Sequence, residues 1–176
     1  MALVKPVVFQ VVGYQNSGKT TVTGKLIEAL NKLGLKVVTI KHHGHGGKPN
    51  LFPQKDSSRH IVAGALASIV EGEGRLLLQV EKTETTLEEQ IELLKNLFPD
   101  VILIEGHKQK DFPKLLILKD KADLSLLETV KNVEIILYWD ENLKPILEKS
   151  VGPLLYNIHD QTAINKIAEY LTKKEA

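Results

Sequence analysis

Residues 13–20, Gly13-Tyr14-Gln15-Asn16-Ser17-Gly18-Lys19-Thr20, have the types and spacing G-x-x-x-x-G-K-[ST] that hold a chain of phosphates. Glycines let the backbone fold into a concave nest whose amide hydrogens converge on an anion. A helix that opens where the nest ends adds unpaired amides and the positive end of its dipole. In this arrangement Lys19 reaches the β- and γ-phosphates, the Thr20 hydroxyl ligates magnesium, and Asn16 and Ser17 offer mainly backbone amides. Gln15 and Thr21 complete the candidate nucleotide contacts of this segment.

Magnesium bound with a nucleotide also needs a carboxylate at the end of a neighbouring strand. The run Val101-Ile-Leu-Ile-Glu105-Gly106 offers one, an acid closing an apolar stretch with a glycine behind it that permits close approach. Five histidines, His42, His43, His45, His60 and His107, fall near or after expected strand ends, which face the ligand crevice in a doubly wound sheet. They suit phosphate contact, proton transfer or a transition metal, or simply a solvated polar loop. Asp56-Ser57-Ser58-Arg59-His60 reads as the start of a short helix. Asp56 there is a helix cap, a magnesium-shell acid or a water-orienting group, and Arg59 a phosphate contact or a surface charge.

These groups need elements to position them. Apolar runs without alternation occupy residues 7–12, 35–40, 101–104, 115–118 and 133–138, as expected of strands buried on both faces of a parallel sheet. Between them, residues 20–33 place Val22, Leu26, Ile27, Leu30 and Leu33 on one helical face, with Gly34 as the stop. Thr86 and Glu89 form a capping box ahead of a stripe of Leu87, Ile91, Leu94 and Phe98. Asp160 caps a last helix carrying Ala163, Ile164, Ile167 and Leu171. Residues 71–74 read as a turn between 66–70 and 76–80, and 42–55 as a long polar loop. The pattern predicts an α/β fold of P-loop NTPase type, a mostly parallel twisted sheet with helices on both faces. One nucleotide-binding domain over residues 1–176 is expected.

Composition narrows the function. The net charge is +1, without the basic excess of a nucleic-acid binder. No cysteine is present, which removes disulfides, thiolate zinc and cysteine nucleophiles. Apolar runs stop at six or seven residues, far short of the roughly 20 that span a bilayer. A cytoplasmic protein with no membrane or nucleic-acid partner is expected.

Four segments in order resemble the MobB family, the molybdopterin-guanine dinucleotide biosynthesis adaptor proteins. They are residues 13–21, Thr39-Ile-Lys-His-His43, Lys55-Asp-Ser-x-Arg-His60 with Ala63-Gly-Ala65, and Ile104-Glu-Gly-His-Lys108 followed by Pro113-Lys114. The resemblance implies a homodimeric protein that binds GTP and magnesium, with weak intrinsic hydrolysis. Such a protein acts beside the guanylyltransferase that attaches GMP to molybdopterin. It further implies that Lys19 and Thr20 hold phosphate and magnesium. Glu105 and Asp56 then serve as metal-shell or catalytic acids, while Lys41, His42, His43, Arg59 and Gly106 line the site. GTP rests on this likeness alone, because Asp120-Lys-Ala-Asp123 imitates the guanine-reading Asn-Lys-x-Asp only weakly and reads better as a charged turn. The same loop also admits a small-molecule kinase, or a metal-delivery GTPase using the histidine loop.

Overall fold

A computed structural model describes residues 5–42, 56–149 and 152–174, with backbone only for Asp56 and Ser57. In chain order its first half contains β1 (Val7–Val12), α1 (Lys19–Lys32), β2 (Val37–Lys41), α2 (Asp56–Val62), β3 (Ala67–Gly72), β4 (Arg75–Val80) and α3 (Leu87–Lys95). The second half contains β5 (Val101–Glu105), β6 (Lys114–Leu118), α4 (Leu126–Thr129), β7 (Val133–Tyr138), α5 (Lys144–Leu147), β8 (Leu154–Asn157) and α6 (Ala163–Thr172). The chain divides into two compact units, residues 1–42 with 91–176, and residues 43–90.

The larger unit is built on a six-stranded sheet in the order β2-β5-β1-β6-β7-β8, with every pairing parallel. Its central strands are apolar without alternation because both faces are covered. On one face Phe9, Val11, Leu103, Ile117 and Leu137 pack with Leu26 and Leu30 of α1 and Ile167 and Leu171 of α6. On the other, Val12, Leu116, Leu118 and Ile136 pack with Leu126 of α4, Val130, Leu143 and Leu147 of α5. Each fully buried aliphatic side chain contributes about 1.5–3 kcal/mol. The phosphate-loop motif therefore hangs from an interior strand of the sheet, paired on both sides. The α/β architecture expected from the apolar runs is present, with helices on both faces.

The smaller unit contains α2 and an antiparallel β3–β4 hairpin, paired from Ala67↔Val80 to Gly72↔Arg75. Its turn falls at Glu73 and Gly74, both with left-handed φ, 50° and 79°, as a two-residue hairpin turn of the primed type requires. The capping box is formed as expected: Glu89 N donates to Thr86 Oγ1 at 3.1 Å and Thr86 N to Glu89 Oε2 at 3.0 Å.

Several local expectations need correction. Phe98 and Leu33 are not on inner faces but 66% and 51% exposed. Helix α3 ends at Lys95, and Phe98 has turned into a left-handed conformation with φ 51°. Helix α1 ends one residue before Leu33, its C-cap. The last helix begins at Ala163 rather than next to Asp160. Asp160 instead closes the turn in front of it, its Oδ1 accepting from Thr162 N at 2.8 Å. Edge strand β8, four residues long, and the short helices α4 and α5 carry too few apolar residues for periodicity to register.

Candidate functional site

The motif occupies the junction that its chemistry requires. Strand β1 ends at Val12, residues 13–18 form a loop, and α1 opens at Lys19 with Gly18 as its N-cap. Asn16 and Gly18 take left-handed φ values of 59° and 96°, the succession that turns backbone amides into an anion-binding nest. Space at the loop is closely used. A Cβ on Gly13 would lie 2.7 Å from Ser17 Oγ and 2.8 Å from Ile117 O. Ser17 Oγ is buried without a hydrogen-bond partner among the described residues, a cost that a phosphate oxygen would remove. Lys19 Nζ folds back and donates to Tyr14 O at 2.6 Å.

Charge around the loop suits an anion. Desolvation is the largest influence on Lys19 and lowers its amine below the usual lysine value. Glu105 opposes that shift, while Lys41 and Lys108 reinforce it. Lys108 Nζ also stands 4.9 Å from the centre of the Tyr14 ring. Among the described residues, Lys19 thus feels two further ammonium groups, Lys41 and Lys108, and one carboxylate, Glu105. That balance fits a polyphosphate carrying a divalent cation.

Glu105 ends β5, directly beside β1, with Val11 paired to Glu105. It is buried, and its Oε1 accepts a 2.8 Å hydrogen bond from Thr20 Oγ1. The hydroxyl named as a magnesium ligand and the acid named for its shell therefore meet, although 85 residues separate them. Lys41, the last residue of β2, lies in register with Glu105, and its Nζ is 3.1 Å from both Thr20 Oγ1 and Glu105 Oε1. Gly106, with φ 97°, allows the next strand end to close in, since a Cβ there would be 3.1 Å from His42 Cβ. His42 and His107 come together with ring centres 4.4 Å apart. Gln15 and Thr21 are exposed on the loop and the first turn of α1. Asp56, Arg59 and His60 belong to α2 in the smaller unit. His43 and His45 lie outside the described residues.

Sequence reasoning missed two contributors and quoted a third, Lys114, without giving it a role. Trp139 follows β7, and its indole Nε1 donates to Ser17 O at 3.0 Å while its ring packs 3.2 Å from the Cβ position of Gly18. It is the only tryptophan and stands at a strand's C-terminal end, a signal that the ligand crevice could have supplied. The other two are Gln10 and Lys114, fully buried polar residues paired across β1 and β6. Gln10 Nε2 donates to Gly106 O and His107 O at 3.1 and 3.0 Å. Lys114 Nζ donates to Lys110 O at 2.6 Å. Together they hold from below the connection that carries Gly106, His107 and Lys108 past the loop.

Burial of Lys114 lowers its amine below the ordinary 10.5, with Asp111 opposing. Between the folded value and 10.5 the unfolded chain binds the extra proton, so this residue makes stability rise with pH across that window. Lys114→Met is expected to lie within about 1 kcal/mol of wild type at neutral pH, since a lost hydrogen bond offsets a relieved desolvation cost. The wild type should then gain on the variant as pH climbs toward 10.5. Denaturant unfolding of both at several pH values measures this. A difference independent of pH would refute a depressed amine.

The charged turn after β6 is held by its own acids. Asp120 Oδ1 accepts from Ala122 N at 2.8 Å and Asp123 Oδ2 from Lys119 N at 2.6 Å. Both carboxylates serve their own backbone.

Comparison with known proteins agrees with this geometry. Residues 8–138 match the family MobB, "Molybdopterin guanine dinucleotide synthesis protein B". Over its full length the chain is similar, at 37% identity, to the whole of a Bacillus subtilis protein described as a probable molybdopterin-guanine dinucleotide biosynthesis adapter protein. Among solved structures, Bacillus subtilis MobB is similar at 36% identity and TM-score 0.77, covering 93% of this chain and 96% of that one. The MobB homologue from Bacillus stearothermophilus is similar at 28% identity and TM-score 0.72, covering 96% and 97%.

Proposed function

The chain belongs to the MobB family, and from that footing we propose that it is a molybdopterin-guanine dinucleotide biosynthesis adaptor that binds magnesium GTP on residues 13–20. In this reading it turns the nucleotide over slowly and assists a guanylyltransferase as a homodimer. The observation that carries the nucleotide part is the meeting of Thr20 Oγ1 and Glu105 Oε1 at 2.8 Å beside the nest. Loop amides, Lys19 and Ser17 would hold the phosphates. Thr20 and Glu105 would hold the magnesium, which would supply positive charge to neutralise the phosphates. Asp56, His43 and Arg59 remain proposed contributors by family likeness.

Slow turnover has a support of its own. The chain's two arginines, Arg59 and Arg75, both belong to residues 43–90, so the unit carrying the loop has none. An arginine placed on the transferring phosphate accelerates hydrolysis by roughly 10³–10⁵. An adaptor whose loop-bearing unit has no arginine of its own would turn the nucleotide over slowly unless one is brought to the phosphate from elsewhere.

Titration of the full chain with a non-hydrolysable GTP analogue, then an ATP analogue, with magnesium and with EDTA, tests the reading. Emission of Trp139 serves as one signal, because its indole is bonded to the loop at Ser17. GTP should bind more tightly than ATP, and magnesium should tighten both. Preference for ATP, with some small acceptor phosphorylated at ordinary enzyme rates, would replace the adaptor by a kinase. Glu105→Gln should raise the half-saturating magnesium concentration by about tenfold and change affinity in EDTA far less. An identical magnesium curve would remove Glu105 from the metal shell.

A further inference from the structure

The contact between Lys41, Thr20 and Glu105 has an uneven build. Thr20 Oγ1 gives its proton to Glu105 Oε1 at 2.8 Å and accepts from Lys41 Nζ at 3.1 Å. Lys41 Nζ is also 3.1 Å from Glu105 Oε1. The two oxygens end short side chains, one on the first turn of α1 and the other at the end of a fully buried strand. The cation has a longer reach. It ends a flexible four-carbon stem on edge strand β2, and the Lys41 side chain is 59% exposed against 11% for Glu105. The Thr20 lone pair that accepts the ammonium proton is the kind of donor a divalent cation seeks, and the hydroxyl proton is already directed to Glu105. A hydroxyl–carboxylate pair on short side chains here holds a monocation on a long, exposed one.

We infer that Lys41 is a tethered counter-ion that occupies the magnesium locus of the free protein and yields it when the magnesium nucleotide binds. This rests on the nucleotide reading above and adds a regulatory residue to that same site. Held there, the ammonium shields Glu105 from the loop and keeps the site assembled without metal. Released, its charge is available to the phosphates. Lys41 therefore competes with magnesium and at the same time supports metal-free nucleotide binding. A plain phosphate-binding lysine does only the second.

The opposed effects supply the test. Magnesium titrations of the complex with a non-hydrolysable GTP analogue are run on wild type, Lys41→Met and Lys41→Arg, with affinities in EDTA measured by calorimetry. Lys41→Met should lower the half-saturating magnesium concentration by roughly 3- to 5-fold, the scale of an exposed ion pair. It should also weaken nucleotide binding in EDTA. Lys41→Arg, which keeps the charge, should restore both toward wild type. Met preserves the stem of an exposed side chain, and Lys41→Gln repeats the measurement if Lys41→Met folds poorly. A half-saturating concentration unchanged or raised in both neutral variants overturns the exchange and leaves nucleotide binding standing. Wild type that binds neither nucleotide with or without magnesium overturns both.

Discussion

Lys19→Ala is expected to reduce nucleotide affinity by about 10²-fold or more, roughly 3 kcal/mol, while the protein stays folded. The large effect follows from where the amine sits. It lies at the loop, partly desolvated and facing Glu105, Lys41 and Lys108, so a phosphate would meet it where little water competes. The small effect on folding follows from what the side chain does not do. The buried face of α1 is made by Val22, Thr23, Leu26, Ala29 and Leu30, not by Lys19, and alanine is the best helix former. Removing a partly desolvated cation also relieves a cost. Thermal unfolding with and without magnesium GTP measures both at once. Ligand at 100 times Kd should stabilise wild type by about 2.7 kcal/mol and the variant hardly at all. Stabilisation of the variant equal to wild type would mean that nucleotide binds elsewhere.

Gly13→Ala is expected to damage both the fold and the loop. Its Cβ would stand 2.7 Å from Ser17 Oγ and 2.8 Å from Ile117 O. The hydroxyl can be pushed aside, but the carbonyl belongs to the interior strand β6 and cannot move without disturbing the sheet. Overpacking of this kind costs about 1–3 kcal/mol, and about 2 kcal/mol lowers Tm by roughly 4–8 °C in a chain of this size. Adding Ser17→Ala removes one clash and leaves the other, so the double variant should recover only part of the loss. Ser17→Ala alone removes a buried, unpartnered oxygen and should cost the fold little. Full recovery in the double variant would show that Ile117 O is not the obstacle.

Much of the architecture was legible from residue type and order. The central strands announce themselves because burial on both faces leaves no room for polar alternation, as at Val101–Glu105. Edge strand β8, with Leu154 exposed, is only four residues long, too short for the pattern to register. The capping box at Thr86 and Glu89 was legible because its two hydrogen bonds close within three residues. Phe98 misled for the complementary reason. Its spacing continues the stripe of α3, but the helix stops at Lys95 and the backbone turns away.

The same division runs through the site. By itself the sequence predicted a phosphate loop over residues 13–20 and named Glu105 as the acid for it. Glycine freedom, an amide nest and a helix start are properties of neighbouring residues. Only the tertiary structure decided that Lys41 meets Thr20 and Glu105, that Trp139 anchors Ser17 across 122 positions, and that Gln10 and Lys114 carry the connection beneath. Those contacts depend on the order β2-β5-β1-β6-β7-β8 and on registers such as Lys41↔Glu105. Registers are set by burying whole strands at once, so no short stretch of sequence contains them.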